Sequence, residues 1–258
     1  MTAPSDDDIH SRLIEAIVDQ RLLPGTKLIE DKLGQAFGVS RTRIRQVLIR
    51  LAQEQVVVLQ PNKGASVAQP TVAESREVFE ARRVVEAVLV RHFAARATAA
   101  DLQALSDCIE AEEGARLQGD TAMALRQSGR FHLLLADAAG HRTFAAFLHK
   151  LVSRTSLILM SHGPDAVAAA KPAGKSASKA SAKAAQPAWL ATGGAASRRW
   201  VQTCRCDEHR GLLEALQAAT GAAHGVSAKR AADQAVALMT HHLQHIENSL
   251  SLDDGREP

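Results

Sequence analysis

Apolar residues recur along the first part of this chain at spacings of three and four, the period of helices buried on one side. Ile9, Leu13 and Ile17 share one stripe of a helix expected over Ile9 to Leu23, which Pro24-Gly25 ends. A short second helix is expected from about Ile29 to Phe37. Gly38-Val39 then supplies a turn, and Ser40 stands where an N-cap belongs. Ile44, Val47, Leu48 and Leu51 give helical spacing to a third segment from Arg41 to about Gln55. The period then changes: Val56 to Leu59 is β-prone, Gln60 to Gly64 is turn chemistry, and Ala65-Ser66-Val67 returns as a second strand. Helix, turn, helix and hairpin wing follow one another within seventy residues.

Beyond Gln69-Pro70 the pattern is helical throughout, which places a domain boundary there. Thr71 with Glu74, and Thr98 with Asp101, form capping boxes that open helices running to about Ala95 and Leu117. Further helices are expected over Ala122 to Ala139, Thr143 to about Leu159, Asp207 to Ala219 and Ala228 to Leu250. The expected fold is mainly α, with a winged helix-turn-helix over 1–70 and an all-helical antiparallel bundle over 71–250. An Ala/Lys-rich insertion at about 164–198 is read as disordered and 251–258 as a tail. Within that insertion Lys171, Lys175, Lys179 and Lys183 would stack like charges on one helix face, and Pro172 and Pro187 interrupt it.

Composition narrows the function. Aromatic residues make up 3% of 258 and tyrosine is absent, which argues against modules that read single-stranded nucleic acid by stacking bases on aromatic rings. Three cysteines, no apolar leader and no apolar run of membrane-spanning length point to a cytoplasmic protein. The net charge of +3 is misleading as a sum, because 166–206 alone carries seven basic residues and no acid. The rest of the chain holds 24 basic and 28 acidic residues. Between Ser40 and Gly64, however, there are five basic residues and one acid, Glu54, so positive charge is concentrated on the third helix and the wing.

Arg41, Thr42, Arg43, Arg45 and Gln46 place hydrogen-bond donors at the start of that third helix, the end that enters a major groove in helix-turn-helix proteins. Arginine forks suit guanine edges and phosphate oxygens alike. The run Pro24-Gly25-Thr26-Lys27-Leu28, then Leu33, Phe37 to Leu48, Leu51 and Asn62 to Val67, resembles the winged helix-turn-helix of GntR-family bacterial transcription regulators. The resemblance implies that Arg41 and Arg45, with the wing tip at Lys63 and Gly64, contact operator DNA. Two positions depart from the family pattern. Arg43 stands where many members have proline, and Gln46 where many have glutamate.

Eleven histidines are unusual for this length, and three of them fall on apolar stripes of separate helices. His132 lies with Leu125, Ser128 and Leu135; His209 lies with Leu212, Leu213 and Leu216; His242 lies with Ala235, Met239 and Ile246. Such imidazoles either share a divalent ion through their neutral nitrogens or sit singly in a core, satisfied by backbone. Phe79 to Glu86, Phe131-His132, Glu208-His209 with Leu212-Leu213, and His242-Leu243 resemble the all-helical FCD effector domain of the FadR-type subfamily. That resemblance implies a divalent metal (Zn, Ni or Mn) on His132, His209 and His242, with Ser128 standing at the family's Asp position. It also implies a small effector, a carboxylate, in the same domain. Arg82 and Glu86 share a stripe with Phe79, Leu89 and Phe93, so Arg82 either binds the effector's carboxylate or pairs internally with Glu86. Cys204 and Cys206, one residue apart, are a weak metal pair.

The reading that follows is a homodimeric, ligand-responsive regulator of double-stranded DNA, and not an enzyme. Two others stand beside it: a His-rich helical metalloenzyme with a DNA tether, and a non-specific nucleoid protein using its lysine tract. No HExxH pattern accompanies the histidines.

Overall fold

The computed structural model describes residues 3–19, 21–162, 206–221, 226–250 and 252. The insertion expected at about 164–198 and Cys204 lie outside the described residues, as does all of the expected tail except Leu252. Two compact units part between Pro70 and Thr71.

The first unit is built from α1 (Asp6–Val18), β1 (Lys27–Leu28), α2 (Glu30–Phe37), α3 (Arg41–Gln53), β2 (Val57–Gln60) and β3 (Gly64–Val67). Helix α1 begins three residues ahead of its apolar stripe because Ser5 and Asp8 close a capping box, the Ser5 hydroxyl accepting from the Asp8 amide. It also ends early, at Val18. The amides of Arg21 and Leu22 both turn back to the Ala16 carbonyl at 2.9 Å, which carries Leu22 into the core. Between α2 and α3, Gly38 adopts φ +67°, a left-handed cap that suits glycine. A Cβ on Gly34 would lie 2.9 Å from the Val39 carbonyl, so that turn closes tightly only because a glycine stands there. Ser40 caps α3 as the sequence implies, its hydroxyl accepting from the Arg43 amide.

The wing is an antiparallel pair with Val57 opposite Val67 and Gln60 opposite Gly64. The two-residue β1 adds to the outer edge of β3, giving the order β1-β3-β2. Ile9, Leu13, Ile44, Leu48 and Leu51 are fully buried together with Leu28, Val57 and Leu157. Each such side chain is worth roughly 1.5–3 kcal/mol of transfer free energy, so α3 is held by its apolar stripe while its opposite face stays in water.

The second unit contains α4 (Val72–Arg96), α5 (Ala99–Leu117), α6 (Thr121–Ala138), most of α7 (Arg142–His162), α8 (Cys206–Gly221) and α9 (Val226–Asn248). Leu157 to His162 of α7 belong to the first unit. Both capping boxes form as expected, on Thr71 with Glu74 and on Thr98 with Asp101. Asp120 caps α6 by accepting from the Met123 amide at 2.9 Å. Leu89, Phe93, Leu105, Ile109, Phe131, Leu135, Leu148, Leu216 and Leu243 are fully buried in one continuous core. Helix α5 packs on α6 and α8, and α4 packs on α6, α8 and α9. These contacts bring polar residues of α4, α5, α6, α8 and α9 into one neighbourhood.

Candidate functional site

Helix α3 turns Ile44, Val47, Leu48 and Leu51 inward, so Arg41, Thr42, Arg45 and Gln46 are exposed by the same geometry. Arg41 and Arg45, one turn apart, line an open hollow of about 630 Å³ whose other side is the wing tip at Lys63 and Gly64. The structure thus brings Arg41, Arg45, Lys63 and Gly64 around one hollow, with Thr42 and Gln46 exposed on the same helix. Arg43 is half-buried and turned away: its Nε donates to Asp6 at 2.7 Å and one Nη to the Pro4 carbonyl at 2.8 Å. The other arginines of α3 also have carboxylate partners. Arg41 meets Asp31 at 3.0 Å and Glu30 at 3.4 Å, Arg45 meets Glu30 at 3.3 Å, and Arg50 meets Asp7. Acids from the starts of α1 and α2 therefore offset much of the positive charge that the sequence concentrates on α3. Sequence reasoning missed these partners because they lie up to 43 positions away along the chain.

In the helical unit the three stripe histidines converge. His132 on α6, His209 on α8 and His242 on α9 are 2%, 1% and 2% exposed, and one nitrogen of each lies within 4.8 Å of the others. Their outer nitrogens are all taken. Nδ1 of His132 is 2.5 Å from a Glu86 oxygen, Nδ1 of His209 is 2.8 Å from Glu112, and Nδ1 of His242 is 2.7 Å from Glu208. Phe131 stacks on His209 with ring centroids 4.4 Å apart, fixing its plane.

The protonation pattern follows from burial and charge. Burial pushes the His132 imidazole down to about 4, against the pull of Glu86. Burial, reinforced by His209, takes His242 down to about 3. For Glu86, burial acts upward but is outweighed by Arg82 and His132, which hold the carboxyl at about 2. Glu112 is held at about 2 as well, with His209 and Arg116 overcoming burial. At neutral pH ionised carboxylates thus face His132 and His209, and the Nδ1 atoms must carry the protons in those hydrogen bonds. In a neutral imidazole bonded this way, as burial makes His132, Nε2 is the lone-pair donor. The Nε2 atoms of His209 and His242 are buried with no hydrogen-bond partner. Buried polar atoms are seldom orphaned in this way, and a set of imidazole nitrogens, each braced by a carboxylate, is the usual surrounding of a transition-metal ion. The residues present fit a divalent metal. Ser128, one turn before His132 and 6% exposed, brings no charge to the cluster.

Arg82 adjoins this centre through Glu86, whose two oxygens serve Arg82 at 2.7 Å and His132 at 2.5 Å. The internal ion pair weighed from the sequence is therefore formed. Thr155 lies 3.4 Å from Nη1, while Nη2 is buried without a partner. Sequence reasoning passed over Glu112, although its spacing from Leu105 and Ile109 puts a carboxylate on the buried stripe of α5. It named Glu208 only as the neighbour of His209; in the structure Glu208 also bonds His245 at 2.6 Å.

The model of bacterial regulatory proteins of the gntR family matches residues 6–67, and the FCD domain model matches residues 77–174. The chain is 29% identical over 140 residues to the HTH-type transcriptional repressor RspR of Escherichia coli, covering 54% of this chain and 60% of that protein's length. It is 24% identical over 251 residues to the HTH-type transcriptional regulator LutR of Bacillus subtilis, covering 91% and 96%. In fold it is similar to a crystal structure described as a GntR transcriptional regulator from Rhodococcus sp. RHA1, with a TM-score of 0.65 at 19% identity over 94% of this chain and 95% of that one. It is also similar to E. coli McbR/YncC, with a TM-score of 0.67 at 18% identity, covering 94% and 96%.

Proposed function

The chain belongs to the gntR family of bacterial regulatory proteins and carries an FCD domain, and from that premise we propose that it is a ligand-responsive transcription regulator. The observation that carries the proposal is the face of α3, where Arg41, Thr42, Arg45 and Gln46 stand in solvent beside the wing tip at Lys63 and Gly64. In this reading α3 enters a major groove, Arg41 and Arg45 meet base edges, and the wing meets the backbone. Arg43 reaches DNA only on leaving Asp6 and Pro4. A homodimer would read two half-sites of an inverted repeat.

The helical unit supplies the sensing site. His132, His209 and His242 would hold a divalent metal, Zn, Ni or Mn, with Ser128 adding no charge to the set. The ion would act as a Lewis acid that anchors an anionic effector. Arg82 contributes the free N–H of Nη2 to the effector's carboxylate while Glu86 keeps hold of both Arg82 and His132. Effector binding then shifts the protein between states of different operator affinity, a reciprocal coupling of two sites. The metalloenzyme alternative gains nothing from the carboxylates: Glu86, Glu112 and Glu208 are each engaged by an imidazole Nδ1, so none stands free as a general base.

In vitro selection from a randomised duplex pool with the full chain, followed by footprinting, tests the reading. Enrichment of an inverted repeat that is protected in the footprint supports it; uniform protection without enrichment overturns it in favour of a non-specific DNA binder. Equilibrium dialysis against Zn, Ni and Mn tests the metal, which wild type should retain and His132→Ala should lose.

A further inference from the structure

The arginines proposed to read DNA are already occupied. Glu30 and Asp31, in the first turn of α2, reach across to α3: Glu30 Oε2 accepts a hydrogen bond from Arg41 Nη2 at 3.4 Å, while Glu30 Oε1 lies 3.3 Å from Arg45 Nε and Asp31 Oδ1 lies 3.0 Å from Arg41 Nε as ion-pair contacts. Arg41 and Arg45 remain 65% and 69% exposed in these pairs, so the carboxylates touch the guanidinium edges without covering the tips. Glu30 itself is only 24% exposed and spans two arginines spaced i, i+4, whose mutual repulsion it relieves.

We propose that Glu30 and Asp31 are specificity-determining residues: by neutralising Arg41 and Arg45 they suppress binding to phosphate at random sequence, and by holding the Nε edges they aim the Nη tips at base edges. The proposal rests on the reading of α3 as the DNA-contacting helix. Its physical basis is that the two parts of DNA affinity respond differently to a neighbouring acid. Attraction to the phosphate backbone is a charge effect, gained at every sequence through counterion release. A bidentate contact to guanine O6 and N7 depends on where two N–H groups point. Arg45, held only at Nε, keeps both Nη groups for such a contact; Arg41, held at Nε and Nη2, keeps Nη1. Exposed pairs of this kind are worth about 0–1 kcal/mol each, weak enough for a matched site to displace.

The test is fluorescence anisotropy on the full-length protein with two probes, a short random-sequence duplex and a duplex enriched from a random pool by wild type, across a salt series. Glu30→Gln with Asp31→Asn should tighten random-duplex binding roughly tenfold and steepen its salt dependence by about one to two counterions. The ratio of enriched to random affinity should fall about tenfold. Asp31→Asn alone, at an exposed position outside the core, should give part of the same effect and carries the test if the double variant does not fold. An unchanged ratio and unchanged random-duplex affinity, in protein that still binds the enriched duplex, would overturn the inference and leave the regulator reading standing. If wild type enriches no sequence at all, the regulator reading fails and the inference falls with it.

Discussion

On α3 the arginines and several of their acid partners stand in water: Arg43 is 38% exposed and Asp6 52%, and Arg50 and Asp7 are 50% and 80% exposed. In the helical unit Arg82, Glu86 and His132 are 3%, 0% and 2% exposed, and His209 and Glu112 are 1% each. The same chemistry, a carboxylate against a nitrogen cation or N–H donor, therefore does different jobs. Exposed pairs are weak, screened and exchangeable, as suits residues that must give way to DNA. Buried ones are set by packing, and removing one member strands the others without water to replace it. The comparison predicts unequal responses to mutation, salt and pH in the two units.

The largest response is expected at Glu86. Replacing it with Ala leaves a guanidinium and an imidazole buried without their shared acceptor, and breaking a buried pair in this way costs about 3–5 kcal/mol. Urea unfolding in the absence of added metal measures it. A loss below about 1 kcal/mol would mean that water reaches the cluster, and the contrast between the two units would then fail at its strongest point.

Glu112→Gln is next, and it separates stability from metal binding. The amide can still accept from His209 Nδ1, but it no longer demands that proton, so Nε2 loses its enforced lone pair. Carboxylates supporting metal-bound histidines are worth about 10- to 100-fold in affinity. Titration with Co(II), followed by its visible absorption, should show a drop of that size. His209→Ala should remove the Co(II) signal altogether.

How much of this was legible beforehand depended on whether a residue's role is local. The helices of both units announced themselves by period and caps: Thr71, Thr98 and Ser40 each do what their spacing implies. The histidine triad was legible too, since each imidazole interrupts an apolar stripe. Strand β1 was not, because Lys27 and Leu28 are a strand only through pairing with Ser66 and Ala65. The acids were not legible for the same reason. Asp6, Asp7, Glu30 and Asp31 read as ordinary first-turn residues of α1 and α2, and their bonds to α3 depend on how helices cross. Arg43, expected to face DNA as its neighbours on α3 do, is turned toward Asp6 by that crossing.

The capping boxes of the helical unit sharpen the comparison from the other side, since they lie at its surface. Hydrogen bonds from the Thr98 hydroxyl and amide hold Asp101 below the usual carboxylate range, and the Thr71 amide and hydroxyl do the same for Glu74. A depressed carboxyl contributes stability above its unfolded pKa and loses it as pH falls through the folded value. Thr98→Ala should cost about 1 kcal/mol at neutral pH, and thermal melts should show wild type and Asp101→Asn converging as the solution is acidified. The buried cluster should weaken at higher pH than the caps: burial holds His132 and His242 down to about 4 and about 3, so the unfolded chain takes up protons first and stability falls as pH drops below the ordinary imidazole value of about 6.5. Loss of stability confined to the carboxylate range would show that burial does not hold these imidazoles neutral.

The smallest effect belongs to the pair that Asp6 forms with Arg43, the one expected DNA-facing arginine that turns toward α1. A double-mutant cycle on Arg43→Ala and Asp6→Ala should return a coupling of about 0.2–1 kcal/mol at low salt. It should fade as added salt shortens the screening length to a few ångströms. Arg43 spends its donors on Asp6 and on the Pro4 carbonyl, so Arg43→Ala should loosen the start of α1 and leave affinity for an enriched duplex within about threefold of wild type. Arg45, whose Nη groups are unengaged by Glu30, should cost about 1–3 kcal/mol at a guanine-containing position when replaced by Ala. Equal losses for the two arginines would show that Asp6 releases Arg43 on binding, and that the pairs around α3 are all of the exchangeable kind.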